Sequence, residues 1–295
     1  MHLLPLLTLV TAIAAQKAYQ GFNSGAFFTS SKPKTESDFE SEFLAAQALH
    51  YSPGFFSSAR LYTNIQAGIT DTPIQAFQAA INTNTSLLLG IWCSGTTSID
   101  NEMVAFKTAV GNLGTKFTDL VMGISVGSED LYRLSESGIA NNAGIGNSPN
   151  SIISFIKAIR TSITDTALAA GNKPVWITET GWPTSGPTNG RAVLSTENAK
   201  TYWDTIACRY LRETNVWWYT LSDANTSIKE KFAISKDLTS ADTIFNLTCP
   251  AGSVAPTSIN MDWTKGVKKN TAVRQIATVG FVSLAGIVGA VVLLL

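Results

Sequence analysis

Short apolar runs alternate along this chain with longer segments in which apolar residues recur every three to four positions. The apolar runs predict β-strands at residues 19–25, 55–62, 87–92, 119–126, 174–178 and 216–221. The longer segments predict helices at residues 37–50, 72–81, 101–111, 151–166 and 197–214. Strands that alternate with helices favour a parallel sheet or barrel, in which each strand is buried on both faces.

The end of the first strand helps to choose between two parallel folds. A doubly wound, dinucleotide-binding sheet would carry a G-x-G-x-x-G turn after its first strand. The sequence Gly21-Phe22-Asn23-Ser24-Gly25 does not contain that pattern. The prediction is therefore an α/β fold of the (βα)8 TIM-barrel type, with residues 19–250 as one barrel domain.

Both ends of the chain resemble targeting signals. Residues 1–18 hold an apolar run followed by small residues, which predicts a secretory signal peptide. A buried N-terminal helix is the alternative, and it is disfavoured because a strand is predicted almost at once, at residues 19–25.

The C-terminal segment predicts attachment to a membrane. Arg274 is the last charged residue, and residues 279–295 are almost wholly apolar. With no basic residue behind them, they favour a glycosylphosphatidylinositol (GPI) signal over a retained transmembrane segment, which stays the alternative. The prediction is a linker at 251–270, lipid attachment at Asn270 and a removed propeptide at 271–295, so that the protein is secreted and anchored at the cell surface.

Charge and cysteine content exclude several classes of protein. The chain has 21 basic and 21 acidic residues, and its one basic cluster lies in the tail linker, so no nucleic-acid partner is expected. With His50 as the only histidine outside the signal segment, neither a metal site nor a Ser-His-Asp triad is predicted, and no cofactor is expected. Three cysteines suggest one disulfide and one free thiol, with Cys208–Cys249 the preferred pair among open alternatives. Sequons predict glycans at Asn84, Asn225 and Asn246.

Two glutamates follow predicted strands. Glu129 comes three positions after the end of the strand at 119–126, and Glu179 directly after the strand at 174–178. In a βα barrel, the carboxyl ends of the strands form the active face. Two carboxylates about 5 Å apart are what a retaining glycosidase needs, one as nucleophile and one as acid/base. Either glutamate alone is as well explained by an exposed strand end or a helix cap.

The motifs around these glutamates resemble a known family. V-W-I-T-E-T-G-W-P-T-S-G, from Val175 to Gly186, resembles the nucleophile motif of glycoside hydrolase family 17, the β-1,3-glucanases of plants and fungi. I-S-V-G-S-E-D-L-Y-R, from Ile124 to Arg133, resembles the acid/base motif of its fungal cell-wall branch. The resemblance implies a (βα)8 barrel, retention of configuration, no metal and β-1,3-glucan as substrate. It makes Glu179 the nucleophile and Glu129 the acid/base.

Other strand ends resemble the same family. G-F-N-S-G, R-L-Y and V-W-W-Y are similar to the ends of its first, second and last strands. This implies substrate binding by Asn23, Arg60, Tyr62 and Asp223, and Trp182 beside the nucleophile offers a flat face for a sugar ring. Two positions depart from the pattern: Ser128 stands where much of the family has the asparagine expected to bond the sugar 2-OH, and Ser24 stands where an aromatic residue is usual.

The stretch between the two glutamates is short for a complete barrel. The two residues are 50 positions apart, whereas three βα units of about 30 residues each require roughly 90. The prediction is a barrel that lacks its fifth and sixth strands, either closed around a smaller core or left open between the Glu129 and Glu179 strands. Two irregular strands within residues 135–150 are the alternative.

Two functions follow from this pattern. The first is endo-hydrolysis of β-1,3-glucan, with glucan transfer as a second outcome of the same covalent intermediate. The second is a catalytically impaired or inactive glucan-binding protein of the cell wall. In both cases we expect a monomer whose partners are the polysaccharide and, through its anchor, the membrane.

Overall fold

The computed structural model describes residues 18–163, 175–188, 192–211, 214–224, 229–239, 241–253 and 291–293. The strands are β1 (Gln20–Ser24), β2 (Ser58–Leu61), β3 (Ser86–Ile91), β4 (Val121–Val126), β5 (Val175–Thr180), β6 (Val216–Trp218) and β7 (Val291–Leu293). The first six lie within or overlap the predicted strands, whereas β7 falls in the segment predicted to be a propeptide.

The helices follow the predicted alternation. They are α1 (Glu36–Gln47), α2 (Ala76–Thr83), α3 (Asp100–Leu113), α4 (Thr115–Thr118), α5 (Asp130–Arg133), α6 (Glu136–Ala140), α7 (Pro149–Ser162), α8 (Thr196–Tyr202) and α9 (Cys208–Tyr210). The single helix predicted at 197–214 is wrong in one respect, because a π-helical segment at Trp203–Ala207 separates α8 from α9.

Local sequence explains where the longer helices begin. Ser148 accepts a hydrogen bond from the Ser151 amide at 3.2 Å and Pro149 occupies the first turn, so α7 starts at a satisfied N-terminus. Thr35 and Asp38 form a capping box at the start of α1. These caps fix the residues at which α7 and α1 begin.

The sheet is an open run of parallel strands. Its order is β4-β3-β2-β1-β6-β5-β7, in which the first six strands are parallel and β7 pairs antiparallel with β5. Strands β4 and β5 therefore occupy opposite ends of the parallel run, and no backbone ladder joins them in the described chain. Residues 135–150 contain α6 and turns but no strand. The fold is a parallel-stranded half-barrel of the TIM-barrel type.

Aromatic side chains occupy the interior where β4 and β5 face each other. A Cβ atom added to Gly123 on β4 would lie 3.3 Å from Cζ3 of Trp176 on β5. The Trp176 ring also lies 5.8 Å from the buried ring of Trp217, centroid to centroid. Side-chain packing thus joins the two strands that the hydrogen-bond ladder leaves apart.

A disulfide fastens the C-terminal part of the domain. Cys208 is bonded to Cys249, with 5.5 Å between their Cα atoms, which confirms the preferred pairing. Nearby, the fully buried Trp203 donates to the Leu247 carbonyl at 3.0 Å. Cys93 is free and buried, and burial raises the pKa of its thiol to about 12. Across the described ranges, every helix is too short or too polar to cross a membrane.

Candidate active site

The carboxyl ends of β1, β2 and β5 bring three polar side chains into contact. Asn23 lies on β1, Arg60 on β2 and Glu179 on β5. Because parallel strands end at the same edge of a sheet, residues far apart in sequence converge there. The structure therefore places these sequence-predicted residues in one site.

Glu179 receives two donors on one carboxylate oxygen. Its Oε2 accepts from Arg60 Nη1 at 2.6 Å and from the Tyr62 hydroxyl at 2.8 Å. The carboxylate side chain is 15% exposed, whereas that of Arg60 is 1% exposed. The two donors hold this carboxylate oxygen in place, and the exposed part of the side chain leaves Glu179 within reach of a ligand.

Arg60 ties together several elements of the half-barrel. Besides Glu179, it donates from Nη1 to Asn23 Oδ1 at 2.7 Å and from Nη2 to Ser128 Oγ at 3.4 Å. Asn23 in turn donates to the Trp217 carbonyl on β6 at 3.2 Å. Both Asn23 and Arg60 are 1% exposed, so the structure gives them a supporting role beneath Glu179, and direct contact with a sugar stays a prediction.

Glu129 has a strained backbone and a partly buried side chain. Its φ of 59° is in the left-handed region, where a residue with a side chain is uncommon, and it follows Gly127, whose φ is 79°. Burial and, to a smaller extent, the charge of Glu179 raise the pKa of Glu129 to about 7, against the opposing effect of Arg133 and Arg60. Glu129 is thus the carboxyl group of this pair that is suited to carry a proton near neutral pH.

Asp130, which sequence analysis did not single out, holds the turn that presents Glu129. Its buried carboxylate accepts from the Ser128 amide at 3.0 Å, from the Asn147 amide at 3.0 Å and from Ser94 Oγ at 3.1 Å. The acidic residue directly after Glu129 was the available signal. It is ambiguous, because Asp is also common in the first turn of a helix, here α5.

Arg133 lies on the outer side of the same turn. It donates from Nε to the Ser128 carbonyl at 3.2 Å and from Nη1 to the Ala143 carbonyl. Its guanidinium carbon lies 5.4 Å from the centre of the Trp92 ring, and Trp92 is 38% exposed. The end of β3 thereby contributes an exposed aromatic ring beside the Glu129 turn.

The side chains of Trp182 and Asp223 both form hydrogen bonds within the protein. Trp182 is half-buried, packs against Tyr202 at 5.8 Å between ring centroids, and donates to the Val193 carbonyl at 3.3 Å. Asp223 Oδ1 accepts from the amides of Phe232 and Ala233 at 2.9 and 3.2 Å. It also lines an open cleft of about 320 Å³.

Tyr219 is influenced by the charges of Asp223 and of both glutamates. Burial raises the pKa of the Tyr219 hydroxyl, and the charges of Glu179, Asp223 and Glu129 raise it further. Sequence analysis noted this tyrosine only as part of a strand motif. Sugar contacts by Asp223 and Trp182 stay predictions.

Two of the predicted glycan acceptors can be located. Asn84 and Asn246 are both exposed, and Asn84 ends α2 with a left-handed φ of 52°. Asn225 and the predicted lipid-attachment residue, Asn270, lie outside the described residues. Across the described part of the chain, no three His, Cys, Asp or Glu side chains are grouped as a metal site would require.

Sequence comparison identifies fungal relatives. The chain is 41% identical to the probable glucan endo-1,3-beta-glucosidase eglC of Aspergillus oryzae, over 312 aligned positions that cover 84% of this chain and 67% of the relative. It is 38% identical to the protein of the same name from Aspergillus fumigatus, over 86% of this chain and 70% of that protein. The chain thus spans about two thirds of the length of these relatives. No family model matches it.

Comparison of folds points in the same direction. The glycoside hydrolase family 17 β-1,3-glucanosyltransferase from Rhizomucor miehei matches with a TM-score of 0.53 and 20% identity, over 78% of this chain and 99% of that one. An active-site mutant of that enzyme, in complex with laminaritriose, also matches with a TM-score of 0.53, at 20% identity over 81% of this chain and 99% of its own. At this identity the likeness shows the fold alone, but the fungal relatives are much closer in sequence. The chain belongs to glycoside hydrolase family 17, among fungal proteins named as glucan endo-1,3-beta-glucosidases.

Proposed function

We propose that the protein cleaves internal bonds of β-1,3-glucan with retention of configuration, with Glu179 as nucleophile and Glu129 as acid/base. The observation that carries this proposal is the unequal surroundings of the two carboxyl groups. Arg60 and Tyr62 both donate hydrogen bonds to one oxygen of Glu179, whereas burial, together with the charge of Glu179, raises the pKa of Glu129 to about 7. Opposite environments of this kind assign an acid and a nucleophile in one site.

The first chemical step uses both groups at once. A Glu179 oxygen attacks the anomeric carbon of the sugar, and the bond from that carbon to the glycosidic oxygen breaks. Glu129 donates its proton to the departing oxygen, which leaves as a free hydroxyl group. The product is a glycosyl ester of Glu179 and an ionised Glu129.

The second step decides between hydrolysis and transfer. Ionised Glu129 takes a proton from an incoming hydroxyl group, whose oxygen attacks the anomeric carbon and releases Glu179. If the hydroxyl group is water, the glucan is hydrolysed. If it belongs to another glucan chain, a new glycosidic bond forms. The relatives named above include both a glucosidase and a glucanosyltransferase.

The test compares two substitutions with two substrates. We expect Glu179→Gln to abolish cleavage of laminarin and Glu129→Gln to slow it by about 10²- to 10⁴-fold. A nitrophenyl laminari-oligosaccharide, whose leaving group needs little protonation, restores cleavage to the Glu129→Gln variant alone. The exposed Glu136→Gln variant is the control. Near wild-type cleavage by Glu179→Gln would overturn the assignment.

We further infer that the chain lacks the segment that forms two strands of the family barrel. Because 84% of 295 residues is about 248, the 312 aligned positions include about 64 at which the Aspergillus oryzae relative has residues and this chain has none. The open order of the sheet, with β4 and β5 at opposite ends of the parallel run, also supports this inference. A gap between the two catalytic strands favours reduced activity.

This second candidate function, a glucan-binding protein of low activity, is tested directly. Calorimetric titration with laminari-oligosaccharides measures binding, and release of reducing ends measures turnover. Binding accompanied by turnover far below the roughly 10 per second typical of enzymes supports it. Turnover at that rate refutes it. Sedimentation velocity of the same sample tests the expected monomer.

We also propose that the protein is secreted and held at the cell surface by a GPI anchor. The Cys208–Cys249 bond supports an oxidising compartment, and the apolar segment at 279–295 supports the anchor signal. Attachment of the anchor would remove the C-terminal segment that contains strand β7, so the outer edge of β5 would lose its partner. Release by a phosphatidylinositol-specific phospholipase is expected. Peptides from 281–295 in the mature protein would contradict it.

A further inference from the structure

A buried carboxylate lies behind the site, and the proposed chemistry does not use it. Glu102 stands in the first turn of α3 and is 5% exposed. It accepts from Thr63 Oγ1 at 2.5 Å, from the Asn64 amide at 2.7 Å and from the Trp92 amide at 3.3 Å. None of the ion pairs in the described residues includes Glu102. Its partners are therefore donors from the segments that follow β2 and β3.

The segment after β2 carries Tyr62, whose hydroxyl donates to Glu179. Thr63 and Asn64 follow it immediately, so two of the three donors to Glu102 are on the tyrosine's own loop. The backbone of β3 is also close to this segment: a Cβ atom added to Gly90 would lie 2.6 Å from the Tyr62 Cα atom. The backbone at Tyr62 is thus packed against β3 at Gly90, and the two residues that follow it are hydrogen-bonded to Glu102.

We propose that Glu102 is a positioning residue for the reaction, which holds the Tyr62 hydroxyl against the nucleophile Glu179. This inference rests on the proposed function. Glu102 acts through the loop, because its carboxylate contacts Thr63 and Asn64 rather than Glu179 or a sugar. Through the Trp92 amide, the same carboxylate ties this loop to the end of β3, where an exposed ring borders the Glu129 turn.

The donor set explains why a carboxylate is needed at this position. An ionised carboxyl group accepts hydrogen bonds on both oxygens and donates none, which matches two amides and one hydroxyl. In Glu102→Gln the new Nε2 cannot accept from an amide, although it can donate to the Thr63 hydroxyl. The glutamine therefore has nearly the same volume but loses at least one of the three contacts.

A double-mutant cycle separates positioning from general stability. We expect Glu102→Gln to lower kcat about tenfold with little change in KM, and Tyr62→Phe to lower it about 10- to 100-fold, as loss of a hydrogen bond to a charged group does. If Glu102 acts through Tyr62, the double variant is no slower than Tyr62→Phe alone. A double variant whose fold-loss of kcat equals the product of the two single losses would overturn the proposal. Met103→Ala, on the same helix, should keep wild-type kcat at 25 °C. It is the control for lost stability, since it opens a cavity in the apolar cluster of Ile91, Ile99 and Ile159.

A second measurement does not depend on turnover. Amide hydrogen exchange at Asn64 and Trp92 should accelerate more than about tenfold in Glu102→Gln, while exchange within α3 stays as in the wild type. Unchanged exchange at both amides would overturn the positioning role even if the enzyme is active. If the wild-type protein fails to cleave laminarin but exchange at these amides accelerates in Glu102→Gln, the proposed function fails, whereas the role of Glu102 in holding the loop after β2 stands.

Discussion

The guanidinium of Arg60 lies 2.6 Å from the carboxylate of Glu179, and the arginine is the more deeply buried partner, at 1% exposed against 15%. The pair is asymmetric: one member is embedded among β1, β2 and the Glu129 turn, and the other faces the site. A buried arginine that bridges several acceptors both orients the nucleophile and joins the strands that carry it.

Replacing Arg60 should therefore damage activity and stability together. In Arg60→Met we expect kcat to fall at least 100-fold and the free energy of unfolding to fall by about 3 kcal/mol, because Asn23 and Glu179 lose a shared partner. Arg60→Lys should be intermediate, since one ammonium group cannot reach all three acceptors. Laminarin kinetics and urea unfolding measure the two effects.

A surface ion pair provides the control for that comparison. Lys200 and Asp204 form a pair on α8 and the π-helical segment with side chains 28% and 27% exposed. Lys200→Met should change the free energy of unfolding by less than about 1 kcal/mol and leave kcat unaltered. If Arg60→Met behaves like Lys200→Met, the arginine does not support the nucleophile.

The pH dependence of kcat/KM should report Glu129. Its carboxyl group must be protonated to donate to the leaving oxygen, so activity falls as pH rises through its pKa of about 7. The charge of Arg133 lowers this pKa, so Arg133→Met should move the alkaline limb to higher pH, whereas Arg133→Lys should leave it nearly in place. An alkaline limb that does not move in Arg133→Met would contradict the link between this charge and the acid.

The Glu129 carboxyl group should destabilise the folded protein at neutral and alkaline pH. Its pKa is raised from 4.5 to about 7 in the folded protein. The folded state therefore binds the proton more tightly than the unfolded state, and the penalty develops as pH rises from about 4.5 to 7. Glu129→Gln removes the penalty, so it should be more stable than the wild type by about 1–3 kcal/mol at pH 8 and equally stable at pH 4. Thermal unfolding at both pH values tests this, and an equal difference at both would rule it out.

The strands were predictable because their burial appears directly in the sequence. A run such as Leu87–Ile91 is apolar throughout, as burial on both faces requires. The positions of Glu129 and Glu179 were predictable for a related reason, since each lies near the carboxyl end of a strand. The π-helical segment was not, because the helical spacing of apolar residues continues through Trp203–Ala207 without a proline or glycine to mark the change.

The supporting shell of the site was only partly predictable. Asn23 and Arg60 were identified from their motifs, but their packing beneath Glu179 depends on the order of β1, β2 and β5 in the sheet. Glu102 was missed because an acidic residue near Asp100 and Asn101 is ordinary at the start of a helix, where it complements the dipole. Only the fold shows that this carboxylate is 5% exposed and faces three donors.

The last prediction concerns the contact that replaces a backbone ladder between β4 and β5. Trp176 reaches from β5 to Gly123 on β4, and its ring lies 5.8 Å from that of Trp217. Because β4 leads to Glu129 and β5 carries Glu179, we expect this packing to set the separation of the two carboxyl groups. Trp176→Ala should lower the free energy of unfolding by about 3–5 kcal/mol and reduce kcat. Trp176→Phe should retain most of the wild-type stability and most of the wild-type kcat. The diagnostic comparison is made at 15 °C, where the alanine variant is still folded by circular dichroism. A folded Trp176→Ala protein with wild-type kcat would show that the two glutamates keep their spacing without this ring.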